Sequence, residues 1–245
     1  MGDFRRDMII SCVNTGSKGN CYLVDDGNGI LALDAGCRWK DVQIACGFMT
    51  SGIEACLISH EHGDHANYCR DFNRNGIPVY SNDRTAARLL EDTGEHIRCL
   101  PTNKQKRILG GYLVIPFEVP HENITNTAFL IQFRNGERML YMTDFEYCPF
   151  NLAKWKIDYY LIAVNRTMDI PDTAEAREHR IRGHSSLDTV KDFLRTSMTD
   201  NCKAVVACHL SGTYADEDVV QEELQKLCGK SVKVSIAHKG EKIII

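Results

Sequence analysis

His60-Glu61-His62-Gly63-Asp64-His65 places four possible metal ligands within six positions, directly after the apolar strand Ala55–Ser59. Alternate residues leaving a strand share a face, and Gly63 lets the backbone turn, so these side chains can converge on one point. Neutral imidazole and carboxylate suit zinc and similar divalent ions. A catalytic ion needs about three protein ligands and keeps one position for water. A solvated run of surface charge is the weaker account of this spacing.

Working outward, the residues before this stretch read as strands Met8–Val13, Cys21–Val24 and Ile30–Asp34 separated by Gly- and Asn-rich turns, then a helix over Lys40–Cys46. Strands Tyr112–Val119, Thr127–Phe133 and Arg138–Thr143 follow it, with Asn135-Gly136 as a hairpin turn. From strand Tyr159–Val164 onward helices alternate with strands: helices Thr173–Ile181, Ser186–Arg195 and Asp216–Leu227, and strands Ala204–Cys208, Val232–Ile236 and Lys242–Ile245. The pattern implies an α/β chain layered helix, sheet, sheet, helix, with residues 1–245 forming one domain. His121, Asp144 and His209 each stand at the end of a strand, where their side chains would reach a rim shared with the first run.

The balance of 29 basic and 33 acidic residues gives a formal charge of −4, which excludes a strongly basic nucleic-acid-coating protein. Eleven cysteines without a Cys-x-x-Cys pair fit neither a disulfide framework nor a zinc ribbon, and read as reduced thiols of a cytoplasmic protein. No early apolar run is long enough for a signal peptide, none approaches a membrane span, and Arg6 occupies the position where a myristoylation signal needs Ser or Thr. No membrane association is expected.

With these residues on the page, the chain resembles the metallo-β-lactamase-fold proteins over essentially its whole length. The resemblance implies an αββα sandwich with two divalent metal ions at one edge, Zn²⁺ foremost and Mn²⁺ as an alternative. It assigns His60, His62 and His121 to one ion and Asp64, His65 and His209 to the other, with Asp144 bridging. Asp34, in Leu33-Asp34-Ala35-Gly36, matches a motif that supports the site from beneath, where it would orient histidine ligands through hydrogen bonds.

Asn14-Thr15-Gly16-Ser17-Lys18-Gly19-Asn20-Cys21, Arg180-Ile181-Arg182-Gly183-His184-Ser185-Ser186 and His209-Leu210-Ser211 are similar to the YycJ/WalJ-like, exonuclease-like group of bacteria and phages. Gly183-His184 also resembles the histidine motif of RNase J and RNase Z, which contacts the scissile phosphate. A helix beginning near Ser185 or Ser186 would offer backbone N–H groups and hydroxyls to phosphate oxygens, and Arg182, with Arg177 and Arg180, would extend a basic strip. Ala163-Val164-Asn165 departs from that group's Glu-x-Asn, and Glu146 from its glycine two residues after the bridging Asp. The residues after Ser211, beginning Gly212-Thr213-Tyr214, depart as well.

The function implied is a binuclear metal-dependent hydrolase, a phosphodiesterase or nuclease on nucleic acid, in which a hydroxide between the ions attacks phosphorus. Asp64 would steer the nucleophile and His184 donate to the phosphate or leaving oxygen. Two ions contribute +4 against the −2 of Asp64 and Asp144, so the local field favours phosphate despite the net charge. A thioester or lactone hydrolase of the glyoxalase II type and a non-catalytic metal-stabilised regulatory module are the alternatives. The chain has no room for the large cap that RNase J-type enzymes insert, so substrate would be gripped by surface loops or by the partner in a homodimer. His96, His179, His238 and the cysteines, including Cys148 and Cys208, read as structural or surface residues.

Overall fold

The computed structural model describes residues 7–167 and 183–245. Strands are numbered in chain order. The first sheet runs from edge to edge as β14 (Lys242–Ile244), β1 (Ile9–Asn14), β2 (Cys21–Asp25), β3 (Ile30–Leu33), β4 (Ile53–Leu57), β5 (Val79–Ser81) and β6 (Arg98–Cys99). The second runs as β13 (Lys233–Ile236), β12 (Ala204–Cys208), β11 (Tyr159–Ala163), β10 (Arg138–Met142), β9 (Ile124–Gln132), β8 (Leu113–His121) and β7 (Lys106–Arg107). Each sheet is antiparallel on one side and parallel on the other, β3 to β6 and β10 to β13 being the parallel halves.

Side-chain alternation makes this a sandwich. Tyr22, Val24, Leu31, Leu33 and Leu57 face the second sheet and join its buried core, whereas Cys21, Leu23, Ala32, Cys56 and Ile58 face outward into a separate cluster with Val42, Phe72 and Leu89 of the covering helices Trp39–Ala45, Cys69–Arg74 and Asp83–Thr93. On the far side, Tyr160 of β11 meets Phe193 of helix Leu187–Ser197, with ring centroids 6.4 Å apart. The αββα layering expected from the sequence is therefore present. The hairpin between β9 and β10 turns at Asn135-Gly136, where Gly136 has φ +87° and its N–H donates to Phe133.

The structure adds elements that the sequence pattern did not announce: the short strands β5, β6 and β7 and the helices Gly63–Ala66, Cys69–Arg74 and Asp83–Thr93. Two- and three-residue strands carry no periodicity to read. The expected helix Thr173–Ile181 lies outside the described residues.

Because β8 is antiparallel to β9 and β9 to β10, β8 runs with β10, β11 and β12. The loops after β3, β4, β8, β10, β11 and β12 therefore open on one edge of the sandwich. That edge receives Asp34, residues Ser59–His65, His121, Asp144, Asn165 and His209.

Candidate metal centre

Three of the strand ends turn through left-handed backbone. Asp34 has φ +59°, Asp144 +43° and His209 +53°. An L-residue pays strain for this conformation, and such residues concentrate where function fixes a side chain.

Two groups of ligand atoms result. His60, His62 and His121 form one; Asp64, His65, Asp144 and His209 form the other, and within each group the ligand atoms lie within 4.8 Å of one another. Asp144 Oδ2 stands between them, 2.7 Å from His65 Nε2, 3.3 Å from His209 Nε2 and 3.9 Å from His60 Nε2. The sequence assignment had Asp144 shared by both ions, and the structure puts it with the second group on the side facing the first. Among the described residues no cysteine joins either group.

Hydrogen bonds fix which ring nitrogens face inward. His121 Nδ1 donates to the Gly183 carbonyl at 2.6 Å, and His65 Nδ1 donates to Asp34 Oδ2 at 2.7 Å. The Ser59 hydroxyl donates to Asp34 at 3.0 Å and so accepts from His60 Nδ1, also at 3.0 Å. Nε2 of each ring is thereby turned toward the centre. His60 Nε2 is buried without a hydrogen-bond partner among the described residues. Buried polar atoms are as a rule satisfied, so this nitrogen marks where a ligand is wanted. The donor set and its orientation fit divalent ions.

The loops are held from below. Asp34, wholly buried, accepts from the Ser59 amide at 2.7 Å and the Tyr141 hydroxyl at 2.5 Å as well as from Ser59 Oγ and His65. Asn20, also wholly buried, donates through its amide to Asp64 Oδ2 at 3.3 Å, while its backbone N–H donates to the Asp64 carbonyl at 2.6 Å. Gly36 completes this grip: a Cβ there would lie 1.7 Å from the Asp64 carbonyl oxygen, so only glycine lets the two segments meet. On the opposite side Asn165 Nδ2 lies 3.1 Å from Asp144 Oδ1 and 2.9 Å from His209 Nδ1, and Asn165 Oδ1 accepts from the Ser185 amide at 3.0 Å. Asn20 and Asn165 were visible in the sequence only as members of longer motifs; Ser59 and Tyr141 gave no signal.

The two groups differ in charge. Burial, reinforced by the neighbouring His65, holds the His60 pKa well below its ordinary value, and burial brings His121 to about 4. In the second group burial also opposes charge on His65, but Asp34 and Asp144 overcome it and raise the pKa well above the ordinary value. His209 is raised to about 9, with Asp144 outweighing burial. For Asp144 burial is outweighed by His209 and His65, and for Asp64 by hydrogen bonds from the same two histidines; both carboxylates are held low. Neutral imidazoles thus face protonated imidazoles with ionised carboxylates.

His184 joins neither group. Its Nδ1 lies 3.5 Å from Asp144 Oδ1, its ring centroid 5.9 Å from that of His121 and 6.1 Å from that of His209, and 28% of its side chain is exposed at the rim. The hydroxyls of Ser185 and Ser186, expected to meet phosphate, have partners within the protein. Ser185 is wholly buried with its hydroxyl donating to the Ala163 carbonyl at 2.7 Å, and the Ser186 hydroxyl caps helix Leu187–Ser197 by accepting from the Thr189 amide at 3.1 Å. Arg182, like Arg177 and Arg180, lies outside the described residues. His238 is a surface residue between Glu217 and Glu241, at 2.9 and 3.1 Å.

A two-sheet sandwich with histidine- and carboxylate-bearing loops on one edge defines the metallo-β-lactamase-fold class of metal-binding hydrolases. Residues 43–209 match the beta-lactamase superfamily domain, and the chain belongs to that family. No curated protein matches its sequence. Among solved structures it is similar to the metallo-beta-lactamase fold protein YhfI from Bacillus subtilis (TM-score 0.72, 17% identity, 97% of this chain and 99% of that one). It is also similar to a diphosphatase of the PhnP family (0.70, 16%, 98% and 98%) and to human tRNase Z, short form (0.65, 15%, 97% and 99%). At these identities the likeness is one of fold.

Proposed function

We propose that the protein is a binuclear metal-dependent phosphodiesterase acting on nucleic acid. The observation that carries this reading is the placement of His184 against Asp144, on the exposed rim and outside both ligand groups. A phosphodiester expels an alkoxide, which leaves readily only if it receives a proton. A thioester expels a thiolate, whose conjugate acid has a pKa of about 8.5, and needs no such donor. An extra imidazole at this edge therefore favours the phosphodiester over the thioester.

In this reading His60, His62 and His121 hold one divalent ion, Asp64, His65 and His209 a second, and Asp144 serves both; zinc suits the donors and manganese is the alternative. Bound ions would acidify water and neutralise phosphate charge. Asp64 is the open carboxylate of the site, with 26% of its side chain exposed, and orients the attacking water while Asn20 fixes its other face. His184 donates to the leaving oxygen, and Asp144 holds its ring at the edge. Asn165 ties Asp144 and His209 to the backbone that carries His184, so ligands and proton donor move as one body.

The diphosphatase and tRNase Z among the similar structures act on phosphoryl bonds, which agrees with this class of substrate. The Asn14–Cys21 loop and the His184 motif support a DNA exonuclease-like member of the YycJ/WalJ-like group. Among the described residues no helix is long and apolar enough to cross a membrane, and all cysteines but Cys99 and Cys148 are buried free thiols, which suits a cytoplasmic enzyme. A homodimer is the simplest way for a capless fold to enlarge its grip on a strand.

The test is metal analysis followed by parallel assays on a small aryl phosphodiester, single- and double-stranded DNA, RNA, a thioester and a lactone. Cleavage of phosphodiesters is expected. Hydrolysis of the thioester alone would overturn the reading.

A further inference from the structure

The connection leaving Asp144 runs back over the outer face of the second sheet and there builds a cavity of about 340 Å³. Its floor is Phe117 of β8, 4% exposed. Phe150, 39% exposed, meets Phe117 edge-on with ring centroids 5.4 Å apart and an interplanar angle of 83°. Trp155 forms a wall, and the Lys154 ammonium lies 5.5 Å from its ring centroid. Asn103 stands on the opposite rim, anchored by its backbone N–H to the Pro116 carbonyl at 2.7 Å, with no side-chain hydrogen bond to another described residue. Asn151 turns its side-chain carbonyl to the Ala153 amide at 3.0 Å, and its NH₂ group has no hydrogen-bond partner among the described residues.

Flat aromatic walls, unspent amides and a lysine at the lip suit a planar, hydrogen-bonding ring attached to an anion. A hydrocarbon chain would have no use for the amides. Lys104, beside Asn103, and Lys154 have no carboxylate within ion-pair distance among the described residues, so the rim carries uncompensated positive charge. Carboxylates on the flanking segments are directed elsewhere: Glu118 alternates to the other face of β8 from Phe117, Asp158 pairs with Lys203 at 3.2 Å, and Glu146 lies on the connection closer to the metal centre, where its amide bonds Pro120.

Two stretches of chain link the cavity to the candidate active edge. Phe117 and His121 belong to the same strand, four residues apart, which at ~3.4 Å per residue is about 14 Å. Phe150 follows Asp144 along the connection. A stacked strand advances ~3.4 Å per nucleotide, so a base in the cavity would lie about four nucleotides from a phosphate at the centre.

We propose that this cavity binds a nucleobase of the single strand whose phosphodiester is being cleaved. The proposal rests on the phosphodiesterase reading for its context, and binding can be measured apart from cleavage. In the metal-loaded protein, KM should fall about tenfold or more as single-stranded oligonucleotides lengthen from two to eight residues. Phe150→Ala combined with Lys154→Glu should abolish that gain and leave a small aryl phosphodiester unaffected. A phosphorothioate-linked octathymidylate should quench Trp155 fluorescence in the parent, and bind at least tenfold more weakly to the double variant. Trp155→Phe, which keeps an aromatic wall, should retain binding by fluorescence anisotropy while losing the quench.

An unchanged length dependence and unchanged octathymidylate affinity in the double variant would overturn the proposal. So would a concentration-dependent dimer by sedimentation that Phe150→Ala dissolves, since the face would then belong to a second copy. If octathymidylate binds through Phe150 but no phosphodiester is cleaved, the cavity stands and the functional reading falls.

Discussion

Asp34 Oδ2 accepts the Nδ1 proton of His65 at 2.7 Å, and both side chains are wholly buried. The same carboxylate takes three further donations, from the Ser59 amide, the Ser59 hydroxyl and the Tyr141 hydroxyl. One residue outside both ligand groups thus sets the orientation of His65 directly and of His60 through Ser59.

Asp34→Asn exchanges one of those acceptor oxygens for an NH₂ group, which must then face a donor. Ligating histidines that lose such a partner typically lose 10–100-fold in metal affinity. Competition against a chelator should show that loss at the second group first, because His65 contacts Asp34 itself and His60 only through a hydroxyl.

Uptake of metal should release protons unequally. At pH 7 His60 and His121 are already neutral, whereas His65 and His209 carry protons held by Asp34 and Asp144. Filling the second group therefore displaces about two protons, and its affinity should climb with pH up to about 9; in the first group His60 and His121 release none. Calorimetry in buffers of different ionisation enthalpy would count them, and equal counts for the two ions would refute the assignment.

Stability of the metal-free protein follows from the same groups. His209, raised in the fold to about 9, stabilises fully below its unfolded pKa of about 6.5 and loses that contribution as pH rises through 9. His121, lowered to about 4, costs stability as pH falls from about 6.5 toward 4. The melting temperature should peak near pH 6.5 and drop by roughly 5–10 °C by pH 9.5. A monotonic profile over this range would contradict these protonation states.

His62→Ala and His184→Ala should separate ligand from proton donor. The first should lose an ion and activity together. The second should retain its metal content and lower kcat by about 10²–10⁴-fold on substrates with poor leaving groups, with much less effect on a nitrophenolate ester that needs no proton. Equal losses on both substrate types would remove His184 from the proton-transfer role.

Glu146→Gln removes a negative charge from the path between the centre and the aromatic cavity. KM for single-stranded oligonucleotides should fall several-fold, with kcat and the rate on an uncharged ester unchanged. A rise in KM would indicate that Glu146 recruits a cation instead.

The residues of the two candidate ligand groups were legible because metal-binding chemistry demands particular residue types at strand ends, and strand ends are marked by apolar runs such as Ala204–Cys208 before His209. The supporting groups were harder. Ser59 and Tyr141 are ordinary core residues in any linear reading, and only the return of β4 and β10 to one edge gives them a common acceptor in Asp34. Ser185 misled for a related reason: a serine before a helix resembles a phosphate contact until the neighbouring strand offers its hydroxyl the Ala163 carbonyl. Helix Asp83–Thr93 buries only Thr85, Ala86 and Leu89, too narrow an apolar stripe to stand out, although Asn82 caps it and Gly94 closes it at φ +72°.

The left-handed turns at Asp144 and His209 also set a direction for drift. Glycine at either position would relieve ~1–2 kcal/mol of backbone strain while deleting a candidate ligand. Selection for catalysis must therefore oppose a standing preference of the fold itself. In a lineage released from that selection, positions 144 and 209 are where retirement of the enzyme would first be written.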